Sequence, residues 1–352
     1  MGRNGRAGAK MGSTVTNARP PLAKTGDPSR LARMADDARE AERRLRARTP
    51  PSPLVHSRAL SRVYGCEVFL KCEHLLPTGS FKFRGAFNKL SRLPPESRAR
   101  GVIAASTGNH GLAVATAGRE MRIPVTVHAP RLASRAKLDA MVDQGAEVVL
   151  HAGEPLVAEQ AARAAATHEG RPYVSPYNDL EVIAGQGSLG VELAHQGERL
   201  DAVVVSVGGG GLLAGVGAAL KAMRPETQLV GAWPVNAPSL LRAIEHGRAV
   251  SVEESPTLSD ATAGGVEPGA VTIDLASDLA PLCVEVEEAR IAAAMRRLAE
   301  HEHWMVEGAA GLALAGLEAC ADRFAGGSVA VVLCGRNITL ERFLGAMSHP
   351  DL

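Results

Sequence analysis

Aromatic residues make up only 3% of the 352-residue chain, with two tryptophans among them. Nucleic-acid and carbohydrate surfaces built on stacking need more rings than that, which disfavours both classes. Charge of one sign is also missing. Lys+Arg 39 against Asp+Glu 38 leaves +1, so no bulk field would recruit DNA or an acidic membrane. The five cysteines, Cys66, Cys72, Cys283, Cys320 and Cys334, form no CxxC pair and are odd in number. That argues against a disulfide framework and for a reducing, cytoplasmic setting. The N-terminus lacks the apolar core of a secretory signal. His301-Glu302-His303 is too tight for a helical metal pair, which needs i,i+4 spacing. One uncharged run, Ala202 to Leu220, approaches the ~20 residues that span a bilayer. It opens on β-branched residues and then meets four glycines, each costing ~1 kcal/mol inside a helix. Strand, tight turn and buried helix are predicted there, and no membrane span.

What is present is an ordinary globular composition, 45% hydrophobic and 22% charged, enough for about two domains. Near-neutrality hides an asymmetry: residues 1–48 hold 12 Lys/Arg and 5 Asp/Glu, a net +7, so the remainder carries −6. Residues 1–26 read as a loose basic tail. Asp27-Pro28 reads as the N-cap and first residue of an Arg/Ala-rich helix running to about Arg48. Further along, short β-branched runs alternate with Ala/Leu-rich segments. Strands are predicted near 66–72, 101–104, 124–128, 146–150, 202–207, 228–232 and 328–333. Helices are predicted near 80–91, 109–121, 132–144, 156–169, 183–196, 211–223, 237–246, 287–302 and 308–325. This alternation implies an α/β fold, with parallel sheets carrying helices on both faces. Such sheets bind ligands beyond the carboxyl ends of their strands, so the loops after strands hold the candidates.

Four loops carry chemistry. Gly208-Gly209-Gly210-Gly211 stands between a β-branched strand and Leu212-Leu213-Ala214. Four glycines permit positive φ at successive residues, so that N–H groups converge on an anion at a helix N-terminus. A phosphate is the natural guest, and a plain flexible turn is the competing reading. No Gly-Lys-Ser/Thr follows, so this is not a P-loop. In Ser80-Phe81-Lys82-Phe83-Arg84-Gly85, a lysine between two phenylalanines loses water, which lowers its pKa and suits a Schiff-base amine. By itself a lysine on an amphipathic helix is far more often a solvated residue, so this motif alone is weak. Ser106-Thr107-Gly108-Asn109-His110-Gly111 opens a helix with more polar groups than capping needs, which suits a carboxylate. Leu333-Cys334-Gly335-Arg336-Asn337 puts a thiol after the last strand, where it can meet a heterocycle nitrogen or simply fill space. One cofactor accounts for all four: a phosphate, an aldehyde, a ring nitrogen and an amino-acid carboxylate beside them describe pyridoxal 5′-phosphate and its substrate.

From about Thr49 to Met347 the sequence resembles the fold-type II pyridoxal-phosphate enzymes, in the serine/threonine dehydratase and serine racemase family. It keeps their motif order: Ser-Phe-Lys-x-Arg-Gly, Ser-x-Gly-Asn-His-Gly, a tetraglycine, then small residue-Gly-x-Asn. Ile183-Ala184-Gly185-Gln186-Gly187 and Glu307-Gly308-Ala309-Ala310-Gly311 also fit. The resemblance implies a two-domain, tryptophan synthase β-like architecture. Residues 49–91 plus 179–347 would form the large cofactor-binding domain, 92–178 a small mobile domain, and 1–48 the tail and helix. Lys82 would hold the cofactor and take the α-proton, with Phe81 near the ring. Asn109 would bond the ring oxygen. Gly208 to Gly211 and the N–H of Leu212 would hold the phosphate. Ser106, Thr107 and His110 would line the carboxylate pocket, and Cys334 would face the pyridine nitrogen. A thiol of reference pKa ~8.5 cannot keep that nitrogen protonated, which suits β-elimination over transamination.

Departures narrow the expectation. Asn109-His110-Gly111 and the uninterrupted tetraglycine argue against the sulfhydrylase branch. The stretch Trp233–Ser239 has no carboxylate where many relatives carry a divalent site, so no metal is expected. The chain is expected to lack a C-terminal allosteric domain. The implied activity is an ammonia-lyase converting a β-hydroxy amino acid such as threonine or serine to a 2-oxo acid and ammonia, working as a homodimer on a small-molecule substrate. A non-catalytic cofactor-binding protein is a further reading, and the intact Lys82 argues against it. Two catalytic alternatives remain. One is a racemase of the serine racemase type, with Thr107 as the acid on the opposite face. The other is a dehydratase of a bulkier β-hydroxy amino acid, of the hydroxyectoine-utilisation type.

Overall fold

The computed structural model describes residues 18–19, 27–153, 155–197 and 199–348. The predicted loose tail, 1–26, lies outside these apart from residues 18–19. Among the described residues ten strands occur in order: β1 Ala18–Arg19, β2 Leu54–His56, β3 Glu67–Lys71, β4 Val102–Ala105, β5 Val125–Pro130, β6 Glu147–His151, β7 Ala202–Ser206, β8 Gln228–Pro234, β9 Leu282–Val286 and β10 Ser328–Val332. They form two sheets. The larger runs β1-β9-β8-β7-β10-β3-β2, parallel except at its two edge strands. The smaller runs β4-β5-β6 and is all parallel. β7 is buried at every residue, and β8 and β10 at all but their first, which is why they read as unbroken apolar runs rather than alternating ones.

The seven predicted strands and the helices between them are present. The sequence reading missed β1, which lies in the predicted loose tail and pairs with β9, along with β2, β9 and the helices Arg58–Tyr64, Pro95–Arg100, Val271–Leu279 and Leu340–Met347. The Leu-Cys-Val-Glu-Val run of β9 carries the β-branched signal of a strand. The short helices carry too few turns for periodicity to show. The predicted N-terminal helix runs Pro28–Arg46. Asp27 caps it by accepting from the Ser29 N–H at 2.9 Å, and Leu31, Met34, Ala35, Ala38, Ala41 and Leu45 form its buried stripe.

The helix Leu180–Gln196, buried from Val182 to Ala194, is the post on which the site is built. A Cβ at Gly185 would lie 2.5 Å from the Arg84 carbonyl oxygen and 2.6 Å from Gly85 Cα. A Cβ at Gly85 would lie 2.3 Å from Gln186 Nε2. Glycine on both sides therefore lets the helix Lys82–Ser91 cross at near backbone contact. Arg84 then rivets that crossing. Its guanidinium donates to Glu73 at 2.6 and 2.9 Å, to Glu192 at 2.7 and 2.8 Å, and to Ser188 at 3.0 Å, all buried. Lys71 joins Glu192 at 2.5 Å. Burial alone would lift the Glu192 pKa, but Arg84 and Lys71 outweigh it and hold the carboxyl below its ordinary range. No helix among the described residues is long and apolar enough to cross a membrane.

Candidate active site

The segment preceding the helix Lys82–Ser91 is pinned to the end of β10. Ser80 bridges Gly335 in antiparallel fashion, and the Phe81 N–H donates to the Cys334 carbonyl at 3.0 Å. Lys82 is thereby set beside Cys334. Its Nζ donates to the Pro176 carbonyl at 2.8 Å and stands 5.2 Å from the Phe81 ring centroid. Lys82 is half-buried and lines a cavity. Burial lowers its pKa from 10.5 to about 8, with Cys334 and Glu307 pulling slightly the other way. The expected sandwich between two phenylalanines is not formed. Successive helical residues point in different directions, and Phe83 packs into the core of the smaller sheet, 5.7 Å from Phe87. Desolvation comes instead from burial in the wall of a cavity.

That cavity, about 800 Å³, is lined by Phe81, Lys82, Ser106, Thr107, Asn109, His110, Gly208 to Gly211, Leu212 and Cys334. Every residue that the sequence nominated is therefore on one wall or another. The glycine loop leaves β7 and opens the helix Gly211–Met223, whose first-turn N–H groups have no carbonyl a turn earlier. The loop is not a run of left-handed residues as expected: only Gly210 has positive φ, +90°. The other three glycines answer a different need. A Cβ on Gly208 would lie 2.9 Å from Thr262 Cα, on Gly209 2.3 Å from Tyr177 Cγ, and on Gly211 3.2 Å from Tyr177 Cα. Neighbours press on the loop so closely that its backbone faces the cavity bare. A hydrogen-bonding cup at a helix N-terminus is what a phosphate requires.

Across the cavity, β4 ends in the loop that opens the helix Asn109–Met121. Ser106 Oγ accepts from the Gly108 N–H at 3.0 Å, which shapes the turn and leaves its hydrogen to donate. Thr107 is the exposed residue of the loop. His110 is 4% exposed, its Nε2 bonded to the Val174 carbonyl at 2.8 Å. A carbonyl can only accept, so Nε2 carries the proton. Burial, and then the nearby Lys82 charge, push its pKa down to about 3, so the ring is neutral and Nδ1 is a bare acceptor. His110 lines the cavity as expected, but its ring supplies no donor for a carboxylate there; its backbone N–H can.

Glu307 is the residue the sequence reading passed over. It was noticed only as part of a Gly-Ala-rich motif. It is 3% exposed and accepts from Asn109 Nδ2 at 2.9 and 3.0 Å and from the Asn337 N–H at 3.1 Å. Asn337 Nδ2 in turn donates to Asn109 Oδ1 at 2.6 Å and to the Thr78 carbonyl at 2.9 Å. The Asn109 amide is thus held at both ends. Burial raises the Glu307 pKa, and the Asn109 bond opposes that. Cys334, 2% exposed, has Ser206 Oγ at 3.5 Å and Glu307 at 3.9 Å. Burial and the adjacent carboxyl push its thiol far above the ordinary range, so it stays protonated.

The donor set fits pyridoxal phosphate: a bare-backbone cup, a desolvated amine, a fixed amide and a neutral thiol share one cavity. Residues 46–335 match the family model described as pyridoxal-phosphate dependent enzyme. An L-threonine ammonia-lyase of Thermotoga maritima is 40% identical over 306 residues, covering 87% of this chain and 76% of that protein. The processed form of threonine deaminase isoform 2 from Solanum lycopersicum superposes with a TM-score of 0.90 at 28% identity, covering 97% of this chain and 99% of that one. Serine racemase from Dictyostelium discoideum gives 0.80 at 29% identity, covering 87% and 99%.

Proposed function

This chain belongs to the pyridoxal-phosphate dependent enzymes, and from that premise we propose that it is an ammonia-lyase acting on a β-hydroxy amino acid such as threonine or serine. The observation that carries the proposal is the Lys82 amine, with its pKa lowered to about 8, in one cavity with Asn109, the glycine loop and Cys334. The threonine ammonia-lyase and threonine deaminase named above support the substrate class.

The bound cofactor supplies the electron sink that makes a substrate α-hydrogen acidic. Lys82 holds it in the resting protein and serves as base for the α-proton, a role that suits an amine tuned toward neutrality. The N–H groups of Gly208 to Leu212 would hold the phosphate, Phe81 would pack by the ring, and Asn109, its amide steadied by Glu307, would bond the ring oxygen. The neutral thiol of Cys334 would meet the ring nitrogen without charging it. Ser106, Thr107 and the His110 N–H bind the α-carboxylate. Departure of the β-hydroxyl leaves an enamine that water converts to the 2-oxo acid and ammonia.

Residues 92–178, which contain β4 to β6 and the Asn109 loop, form the small mobile domain in this reading. Residues 49–91 and 179–347 form the large one. The enzyme is cytoplasmic and homodimeric in the same reading, which sedimentation checks. The test of function is a screen of β-hydroxy amino acids following ammonia and 2-oxo acid, with Lys82→Ala as control. Turnover should fall by orders of magnitude in the variant, since acid–base catalysis alone contributes ~10²–10⁴-fold. Near-wild-type turnover by Lys82→Ala would refute the assignment. A racemase is the second reading, favoured by one observation: Thr107, whose hydroxyl would return the proton from the other face, is the exposed residue of its loop and lines the cavity.

A further inference from the structure

The charged side chains lining the cavity are Lys82, Lys137, Glu159, Asp260, Glu267 and Glu307. Under the reading above, on which this inference rests, Lys82 is committed to the cofactor. An amino-acid substrate then brings its carboxylate into a cavity whose remaining lining charges are acidic, except for Lys137. That lysine rises from the first turn of the helix Arg135–Asp143. Met141 of the same helix is packed so closely that a Cβ on Gly111 would lie 2.8 Å from its Sδ, which docks the helix against the start of Asn109–Met121. Lys137 is consequently laid along Gly108: a Cβ there would be 3.4 Å from Lys137 Cδ and 3.5 Å from Nζ.

The ammonium is under-partnered for such a site. Its ion partner is Asp260 Oδ2 at 3.6 Å, and Arg342 already holds that same oxygen at 2.5 Å. Glu159 and Glu267 are drawn to Arg163, at 3.0 and 2.6 Å. Lys137 also acts toward the reaction centre, since its charge opposes the burial of Glu307. A cation beside the Gly108 turn, next to the open N–H groups of a helix N-terminus, matches a carboxylate on both charge and hydrogen bonding.

We propose that Lys137 is a substrate-binding residue that pairs with the α-carboxylate of the amino acid over the Gly108–Asn109 turn. It is the charged member of a pocket whose other members, Ser106, Thr107 and backbone N–H groups, are neutral.

The test uses the cofactor-loaded protein and an amino acid that lacks a β-leaving group. L-alanine and L-alaninamide differ in the carboxylate alone, and the change in cofactor absorbance reports the binding of each. Wild type should prefer alanine, and Lys137→Gln should lose about 10- to 100-fold in alanine affinity with little change for alaninamide, the range of a hydrogen bond to a charged group. Lys137→Arg should restore most of it. Asp260→Asn should leave the preference intact or enlarge it. For turnover, Lys137→Gln should raise KM by the same factor with kcat within a few-fold. Equal losses for both ligands, a wild type without preference for alanine, or an Asp260→Asn variant that loses the preference as Lys137→Gln does, would overturn the proposal; the last result would make the pair a bridge across the cleft. A wild type that binds alanine with this preference but releases no 2-oxo acid from any β-hydroxy amino acid would instead refute the lyase reading and leave Lys137 standing.

Discussion

Lys82 gives the sharpest quantitative expectation, because its environment fixes a pH profile. An ammonium cannot attack an aldehyde, so capture of the cofactor by apoprotein follows the neutral fraction of the amine. Burial takes the Lys82 pKa from 10.5 to about 8. At pH 7 that raises the neutral fraction roughly 300-fold over a solvated lysine, about 3 kcal/mol in favour of the reactive form. The direction follows from desolvation, which penalises the charged form of a base and lowers its pKa. The assay is stopped-flow absorbance of apoprotein mixed with pyridoxal phosphate across pH, each rate divided by that of a free alkylamine. The division cancels titration of the cofactor itself. The quotient should be level below pH about 8, fall steadily between about 8 and 10.5, and level again above. Lower intrinsic nucleophilicity of a less basic amine shifts the height of the curve but not its breaks. A quotient with no break near pH 8 would show Lys82 to be solvated, and the argument from burial would fail.

Four further outcomes are expected. Arg84→Met leaves Glu73 buried with its ion partner gone and Ser52 as its remaining side-chain donor, while Glu192 keeps Lys71 and Arg46; denaturant unfolding should show a loss of ~3–5 kcal/mol, and a loss under ~1 kcal/mol would show the rivet to be dispensable. Gly209→Ala drives a methyl into the Tyr177 ring, whose nearest atom is 2.3 Å from the new Cβ. Overpacking of ~1–3 kcal/mol should appear as weaker cofactor binding in a fluorescence titration, and unaltered binding would show that the loop yields freely. Thr107→Ala should keep β-elimination within about tenfold, or ~1.4 kcal/mol of barrier, and abolish exchange between L- and D-serine on chiral chromatography; wild type making D-serine faster than pyruvate would favour the racemase. Activity should survive a divalent chelator, and rescue by Mg²⁺ after its loss would reverse the reading of Trp233–Ser239.

The sequence by itself determined the local grammar of this protein. β-Branched runs, glycine turns and Ala/Leu-rich helices are chosen by dihedral preferences acting over a few residues, so the parallel α/β fold and the loops after its strands were readable. The motif order was readable too, since three of the four chemistries that one cofactor needs stand in such loops and the fourth, Lys82, opens a helix. Tertiary structure decided which groups meet, because contact between distant segments leaves no mark in the local pattern. Glu307 lies 198 residues from the Asn109 amide that it holds, and Glu192 lies 108 from Arg84. Nothing within a few positions of either residue announces its partner. The same distinction separates the four glycines: sequence allows positive φ at each, yet only Gly210 adopts it. Gly208 and Gly209 are glycine because Thr262 and Tyr177, brought in by other parts of the chain, leave no room for a Cβ, and at Gly211 a Cβ would press on Tyr177 at 3.2 Å. Phe83 turns from the amine toward the core of the smaller sheet for a related reason: a helix carries its side chains around its axis, and only the packed fold decides which direction faces the cavity.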